Sequence, residues 1–161
     1  MLGLEMLGLD ILGGDKLETE LTGLALGLDN PQVWLGAEGA KIAGEGIREN
    51  FEQGGRPDKW PDITAWSRAM RKVNHESGPL IDTGALMAAA SASEPGVEGS
   101  IFRQQGDTLT LGTDLEYAAD HEFGTARIPV REFMSLTPED EIRLTASMDD
   151  DYLHTLLAQM S

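Results

Sequence analysis

Residues 31–53 most constrain what this chain can become. Asn30 followed by Pro31 reads as a helix start, because Asn caps well and proline at the first helical position lacks an N–H that has no partner there. Gly54-Gly55 reads as the matching stop, since glycine enters the left-handed conformation without a Cβ penalty. Between them Val33, Ala37, Ala40, Gly44, Ile47 and Phe51 recur at steps of four and three, the apolar stripe of a long helix. Gly36, Gly39, Gly44 and Gly46 each weaken such a helix by ~1 kcal/mol relative to alanine. So many small residues predict close approach of another backbone. A helix with one apolar side demands a second layer to cover it.

The chain has 161 residues, which predicts a single domain over 1–161 that folds by burial of apolar surface alone. It has no cysteine, which excludes a disulfide framework, a thiol nucleophile, Fe–S clusters and thiolate zinc sites. With 12 Lys+Arg against 28 Asp+Glu the net charge is −16, unfavourable for wrapping duplex DNA. The acidity is spread along the chain, and Asp149-Asp150-Asp151 reads as a solvated helix face. No apolar run approaches the ~20 residues of a membrane span. The opening MLGLEMLGLDIL lacks a basic leader and is interrupted by Glu5 and Asp10, so no signal peptide is read and synthesis in the cytoplasm is expected.

The other elements follow from the same signals. Leu7, Leu9 and Ile11 alternate as in a strand, with residues 1–14 a candidate arm reaching a neighbour. Asp15 with Glu18 resembles a capping box ahead of a helix bearing Leu17, Leu21, Leu24 and Leu28. A helix is expected over 63–77, with Ile63, Trp66, Met70 and Val73 on its apolar face. Asp82 or Thr83 caps a turn leading into 84–92, whose periodicity fits helix or strand. Residues 101–104 and 108–112 read as a β-hairpin, 114–123 as a short helix, and Ile128-Pro129-Val130 as extended. Thr137 and Pro138 open a last helix with Ile142, Ala146, Leu153, Leu156 and Leu157 on its apolar side. The expected fold is α+β: two N-terminal helices and a long C-terminal helix on a small, mostly antiparallel sheet made by 80–133. An all-helical fold is the alternative.

Signals for catalysis are sparse. His75, His121 and His154 are far apart, no HExxH occurs, and there is no phosphate loop or GxSxG elbow. No catalytic, cofactor-binding or metal residue is assigned. Trp34, Trp60 and Trp66 read as core or interface aromatics. A small hydrolase using Glu116, Asp120 or Glu122 is the enzyme alternative.

Three clusters carry more information together. The first is Phe51, Gly54, Gly55, Pro57 and Trp60, leading to Thr64. The second is Leu80-Ile81-Asp82-Thr83-Gly84 with Leu86. The third is Leu111-Gly112-Thr113, then Tyr117-Ala118-Ala119, His121, Phe123 and Gly124, then Ile128-Pro129, Arg131 and Phe133. Their order and spacing resemble the phage virion morphogenesis family of Mu-type G proteins and related tail completion proteins. The likeness covers 30–157, with 1–29 matching less well. Asp58 after Pro57, Glu122 before Phe123 and Glu132 after Arg131 depart from the family pattern.

The resemblance implies a non-enzymatic, cofactor-free virion protein at the head–tail neck. It would complete or terminate the tail as a ring-forming subunit. Implied partners are copies of itself, commonly six, the tail tube protein and head-closure or connector proteins. Viral DNA would pass through without sequence-specific binding, and no membrane is involved. A minor capsid or assembly factor absent from the mature particle is a further alternative. Among the motif residues, Gly84 and Gly124 would make turns closed to residues with a Cβ. Arg131 would pair with a carboxylate, Pro129 would stiffen an arm, and Tyr117, His121 and Phe123 would form an aromatic cluster. These residues either build the fold or touch a partner. The acidity would either repel DNA from a channel wall or serve solubility.

Overall fold

In the computed structural model, which describes residues 7–12, 17–23, 31–74 and 76–159, the span from Pro31 to Gln53 is helical but changes gauge partway. Pro31–Trp34 (α1) runs into a π-helical turn at Leu35–Gly39, and then into α2, Ala40–Gln53. A π-turn takes more residues per turn than an α-helix, so it slips the phase of the stripe. From Ala40 onward the expected stripe holds, with Ala40, Gly44, Ile47 and Phe51 buried. Ahead of the slip it fails: Val33 and Ala37 are exposed, and Trp34 and Leu35 go inward instead. Asn30 lies outside the described residues.

The stop at Gly54 (φ +66°) is as expected. The N–H groups of Gly54 and Gly55 donate to the carbonyls of Phe51 (3.2 Å) and Asn50 (2.8 Å). The small residues of α2 do serve close approach. A Cβ at Gly44 would stand 2.7 Å from the Ser91 carbonyl oxygen, and one at Gly46 would stand 2.8 Å from the Asp140 carboxyl carbon.

The sheet has four antiparallel strands in the order β1-β2-β4-β3: β1 Leu7–Leu12, β2 Leu17–Gly23, β3 Ser100–Gln105 and β4 Thr108–Thr113. The 100–113 hairpin matches expectation. The helix expected at Leu17 does not: Leu17–Gly23 is a strand pairing Leu21 with Leu109 and Thr19 with Leu111. Leu17 and Leu21 are four apart, but Leu17-Thr19-Leu21 also alternates with Glu18-Glu20-Thr22, and β-branched threonines suit a strand. Asp15, Leu24 and Leu28 lie outside the described residues. Two hairpins therefore build the sheet, rather than 80–133 alone. The described part of the candidate arm, Leu7–Leu12, is its edge strand. The fold is α+β, and the all-helical alternative falls with the two hairpins.

The remaining helices are α3 (Ala65–Ala69), α4 (Ala85–Ala90), α5 (Ala118–Phe123) and α6 (Pro138–Gln159). Thr137 caps α6 as expected. Its hydroxyl accepts from Asp140 N–H (3.3 Å), while Asp140 Oδ2 accepts from the Thr137 N–H and hydroxyl (2.9 Å each). The apolar side of α6 is corrected. Asp140 and Leu144 face inward with half-buried Ser147 and Met148, while Ile142, Ala146 and Leu157 are exposed. The side chains of Leu153 and Leu156 lie outside the described residues.

α2 is the axis of the core. Its first half packs with Trp34, Leu35, Leu109, Leu111 and Leu144, against the sheet and α6. Its second half packs with Leu80, Leu86, Ala90, Ala118, Phe133 and Met134. Leu136 touches both clusters. Trp34 is a core residue whose indole N–H donates to Ser147 Oγ (3.0 Å).

Candidate functional site

The three sequence clusters converge beyond the second half of α2. In the first, Phe51 is fully buried, meeting Trp60 edge-on (5.9 Å, 85°) and Phe133 tilted (5.2 Å, 47°). Gly55 sits at φ +109°, where a Cβ would stand 2.5 Å from the Asp58 carbonyl oxygen. Trp60 N–H donates to the Gly54 carbonyl (2.8 Å), closing the loop, and Pro57 is exposed on it. Phe51, Gly54, Gly55, Trp60 and Phe133 therefore build the fold.

In the second cluster, Thr83 Oγ1 accepts from Ala85 N–H (3.3 Å), and Gly84 takes φ +86° at the start of α4. Leu86 is buried. Asp82 does not cap this turn. Its carboxylate accepts from the N–H groups of Val73 (3.1 Å) and Lys72 (2.9 Å), which holds its pKa below the usual carboxylate range. Asn74 Nδ2 donates to the Asp82 carbonyl.

In the third cluster, Gly124 (φ +72°) passes so close to Val130 that a Cβ would stand 2.9 Å from its methyl. Thr125 Oγ1 accepts from Arg127 N–H (3.2 Å) and Ile128 N–H (3.0 Å) to close the loop ahead of exposed Pro129. Arg131 is buried and corrects an expectation. Its guanidinium donates to the carbonyls of Pro61 (Nε, 2.8 Å) and Asp62 (Nη2, 3.3 Å), not to a carboxylate. Arg71 acts alike, donating to the carbonyls of Asn74 (2.9 Å), Ser77 (2.8 Å), Gly78 (2.6 Å) and Pro79 (2.8 Å). Both arginines staple turns through backbone carbonyls. Burial pulls both their pKa values below normal.

His121 stands between two clefts. One, of about 290 Å³, is lined by Arg71, Lys72, Asp82, Thr83, Gly84 and Tyr117 among others. The other, of about 480 Å³, runs between Ile63, Thr64 and Ser67 on one side and Arg127–Arg131 on the other. The Tyr117 ring meets His121 edge-on at 6.3 Å. His121 Nδ1 is buried without a hydrogen-bond partner, and burial, then Arg131, lowers its pKa.

Glu122 is the residue that sequence reasoning underrated. It is fully buried, and its Oε2 accepts from the N–H groups of Phe133 (2.7 Å) and Met134 (3.2 Å). Burial pushes its pKa up to about 7 despite those bonds. Among the described residues, no group of three His, Asp or Glu side chains is placed to hold a metal ion.

The clefts beside His121 are lined by Arg71, Lys72, Arg127 and Arg131 together with Asp62 and Asp82. Of the nine large apolar side chains exposed among the described residues, six come from two stretches: Trp66, Met70 and Val73, and Tyr117, Phe123 and Val130. The helix expected over 63–77 shortens to α3, Ala65–Ala69, which has no buried residue: Ile63 lies half-buried ahead of it and Val73 exposed in a bend beyond it. Thr64 caps α3 by accepting from Ser67 N–H (3.1 Å), and exposed Lys72 and Arg127 lie in the same two stretches.

No family profile matches the chain, and no solved structure is similar to it. It is similar to Mu-like prophage FluMu G protein 2 of Haemophilus influenzae, at 32% identity over 112 residues, or 65% of this chain. The chain spans 66% of that relative's length. By that likeness the chain is a homologue of a Mu-like prophage protein.

Proposed function

We propose that this chain is a structural virion protein, not an enzyme, that completes or terminates a phage tail and joins it to the head at the neck as a ring-forming subunit. Its partners in this reading are copies of itself in a hexamer, the tail tube and the head-closure proteins. The likeness to a Mu-like prophage protein supports the phage setting. The observation that carries the assembly role is the exposed apolar surface of α3 and residues 117–130. Trp66 and Met70, one turn apart, expose neighbouring apolar area, and such area marks interaction sites on proteins. The motif residues divide accordingly: Phe51, Trp60, Leu86 and Phe133 build the core, while Tyr117 (45%) and Phe123 (51%) are exposed and available to a partner.

The hydrolase alternative has less support. Glu122 is committed to two backbone N–H groups, Glu116 and Asp120 are exposed, and no carboxylate orients His121 Nδ1. The net charge of −16 fits a channel wall that repels phosphates and lets DNA pass without sticking.

The test is deletion of the gene, followed by electron microscopy of particles, with light scattering of the purified chain. Unjoined or unfinished tails and a defined oligomer are expected. Normal infectious particles without the chain overturn the reading, as does a compact monomer with turnover. A chain needed for assembly but missing from finished particles would make it an assembly factor instead. Neutralising acidic residues on the lumen should slow DNA ejection, and unchanged kinetics would overturn the channel-wall role.

A further inference from the structure

The larger cleft beside His121, about 480 Å³, brings Arg71, Arg127 and Arg131 to one hollow of a chain whose net charge is −16. Its size is that of an ordinary ligand site. Two guanidinium groups keep donors in hand there. Arg131 is 4% exposed and directs Nε and Nη2 at the carbonyls of Pro61 and Asp62. Its Nη1 has no partner among the described residues. The exposed Arg127 guanidinium has none there either. Arginine carries five N–H donors, and those held close to the interior call for acceptors.

The surrounding acids do not answer them. Asp62 shares the cleft, but its Oδ1 accepts from Arg68 Nη2 (2.7 Å) and from the Ile63 N–H (2.8 Å). Asp82 lines the other cleft and accepts from the N–H groups of Lys72 and Val73. Among the described residues no carboxylate forms an ion pair with Arg71, Arg127 or Arg131. Burial lowers the Arg131 pKa, Asp62 raises it, and Arg71 lowers it again. His121 Nδ1, which belongs to the same wall, also lacks a partner. The hollow is short of one anion.

The walls narrow the choice of anion. Ile63, Ile128 and Pro129 are apolar, and Trp66 and Val130 stand exposed on the flanking segments. A nucleic-acid backbone would bring many phosphates against a strongly acidic molecule to meet these few cations. A single carboxylate with apolar neighbours meets both the guanidinium groups and the walls, and its planar fork matches theirs.

We propose that this cleft binds an aspartate or glutamate side chain carried on an apolar segment of a partner protein, an acid that the chain does not supply from its own fold. Arg127 and Arg131 Nη1 form the clamp, Arg71 adds charge, and Ile63, Ile128 and Pro129 receive the apolar neighbours. The inference goes beyond the ring-subunit reading and stands whether or not copies of the chain close into a ring.

The probe is the peptide acetyl-Leu-Glu-Leu-amide, titrated into the full-length chain and followed by NMR. A carboxylate beside Arg131 offsets the cation that holds the His121 pKa down, so that pKa should rise on saturation while that of exposed His154 stays. The peptide with Gln in place of Glu should bind about tenfold more weakly, and Arg127→Ala should weaken the Glu peptide about tenfold. Lys72→Ala, which alters the other cleft, should leave its affinity unchanged. Arg127 and Lys72 are both exposed, so folding is not at stake. Equal binding of the two peptides overturns the carboxylate clamp. Equal losses from Lys72→Ala and Arg127→Ala overturn its location. Inorganic phosphate binding more tightly than the peptide makes this a phosphate site and overturns the peptide, as does the absence of saturable binding at millimolar peptide. None of these outcomes bears on whether the chain forms a ring, which light scattering decides separately.

Discussion

The flank of α2 that meets α6 and the region around α3 use the same residue types in opposite ways. On the α6 flank, buried Asp140 is answered by Arg56 Nη2 (2.8 Å) and by the Thr137 cap, and Arg56 also takes Asn50 Oδ1 (2.9 Å) and the Gly46 carbonyl. Asn50 in turn donates to the carbonyls of Phe133 (2.9 Å) and Ser135 (2.8 Å). Around α3, Trp66, Met70 and Val73 face solvent, and arginines spend their donors on loop carbonyls. The first region is closed upon itself. The second leaves large apolar side chains in solvent.

That contrast is open to measurement, beginning where the effect is greatest. Phe51→Ala should cost about 3–5 kcal/mol in urea unfolding, because Trp60 and Phe133 cannot close the space it leaves. A cost under ~1 kcal/mol would mean that this half of the core is not anchored there. Arg56→Met should cost about 3 kcal/mol, since it strands the buried Asp140 carboxylate.

Glu122→Gln should act in a pH-dependent way. The folded pKa near 7 lies above the ordinary 4.5, so between those values the folded chain keeps a proton that the unfolded chain has released. The stabilisation from this group is full below about pH 4.5 and lost as pH rises through about 7. The variant should therefore gain up to about 3 kcal/mol over the parent at pH 8 and nothing at pH 4. An equal effect at both pH values would show that Glu122 does not titrate on unfolding. Trp66→Ala should shift stability by no more than about 0.5 kcal/mol while weakening self-association. A large loss of stability there would erase the distinction between the two regions.

Chain punctuation was legible from residues alone. Gly54 and Thr137 sit where a stop and a cap were read, and the Ser100–Thr113 hairpin forms around the expected turn. Face assignment was less legible. The stripe through Val33 and Ala37 lost its phase because a π-turn intervenes, and no local signal distinguished that turn from regular helix. Leu17–Gly23 fitted helical and strand spacing alike, and pairing with β4, nearly ninety residues on, decided it. Ile63, Trp66, Met70 and Val73 have helical spacing, yet only Ala65–Ala69 forms helix, and periodicity alone told neither its length nor which way Trp66 would face. Within the candidate site, Arg131 was recognised as important but assigned the wrong kind of acceptor. Glu122 looked like one acid among 28 until Phe133 and Met134 met it from across the loop.

The amino-acid order by itself determined where α2 ends and α6 begins, the α+β class and the likeness to a Mu-like prophage protein. Those properties are decided within a turn or two of backbone, or by motifs that need no partner to be read. Tertiary structure alone decided which faces turned inward, which carbonyls each arginine would staple, and that one carboxyl would be buried near its neutral point. Burial and desolvation depend on groups tens of residues apart arriving at the same place, and no local pattern of residue types encodes that meeting.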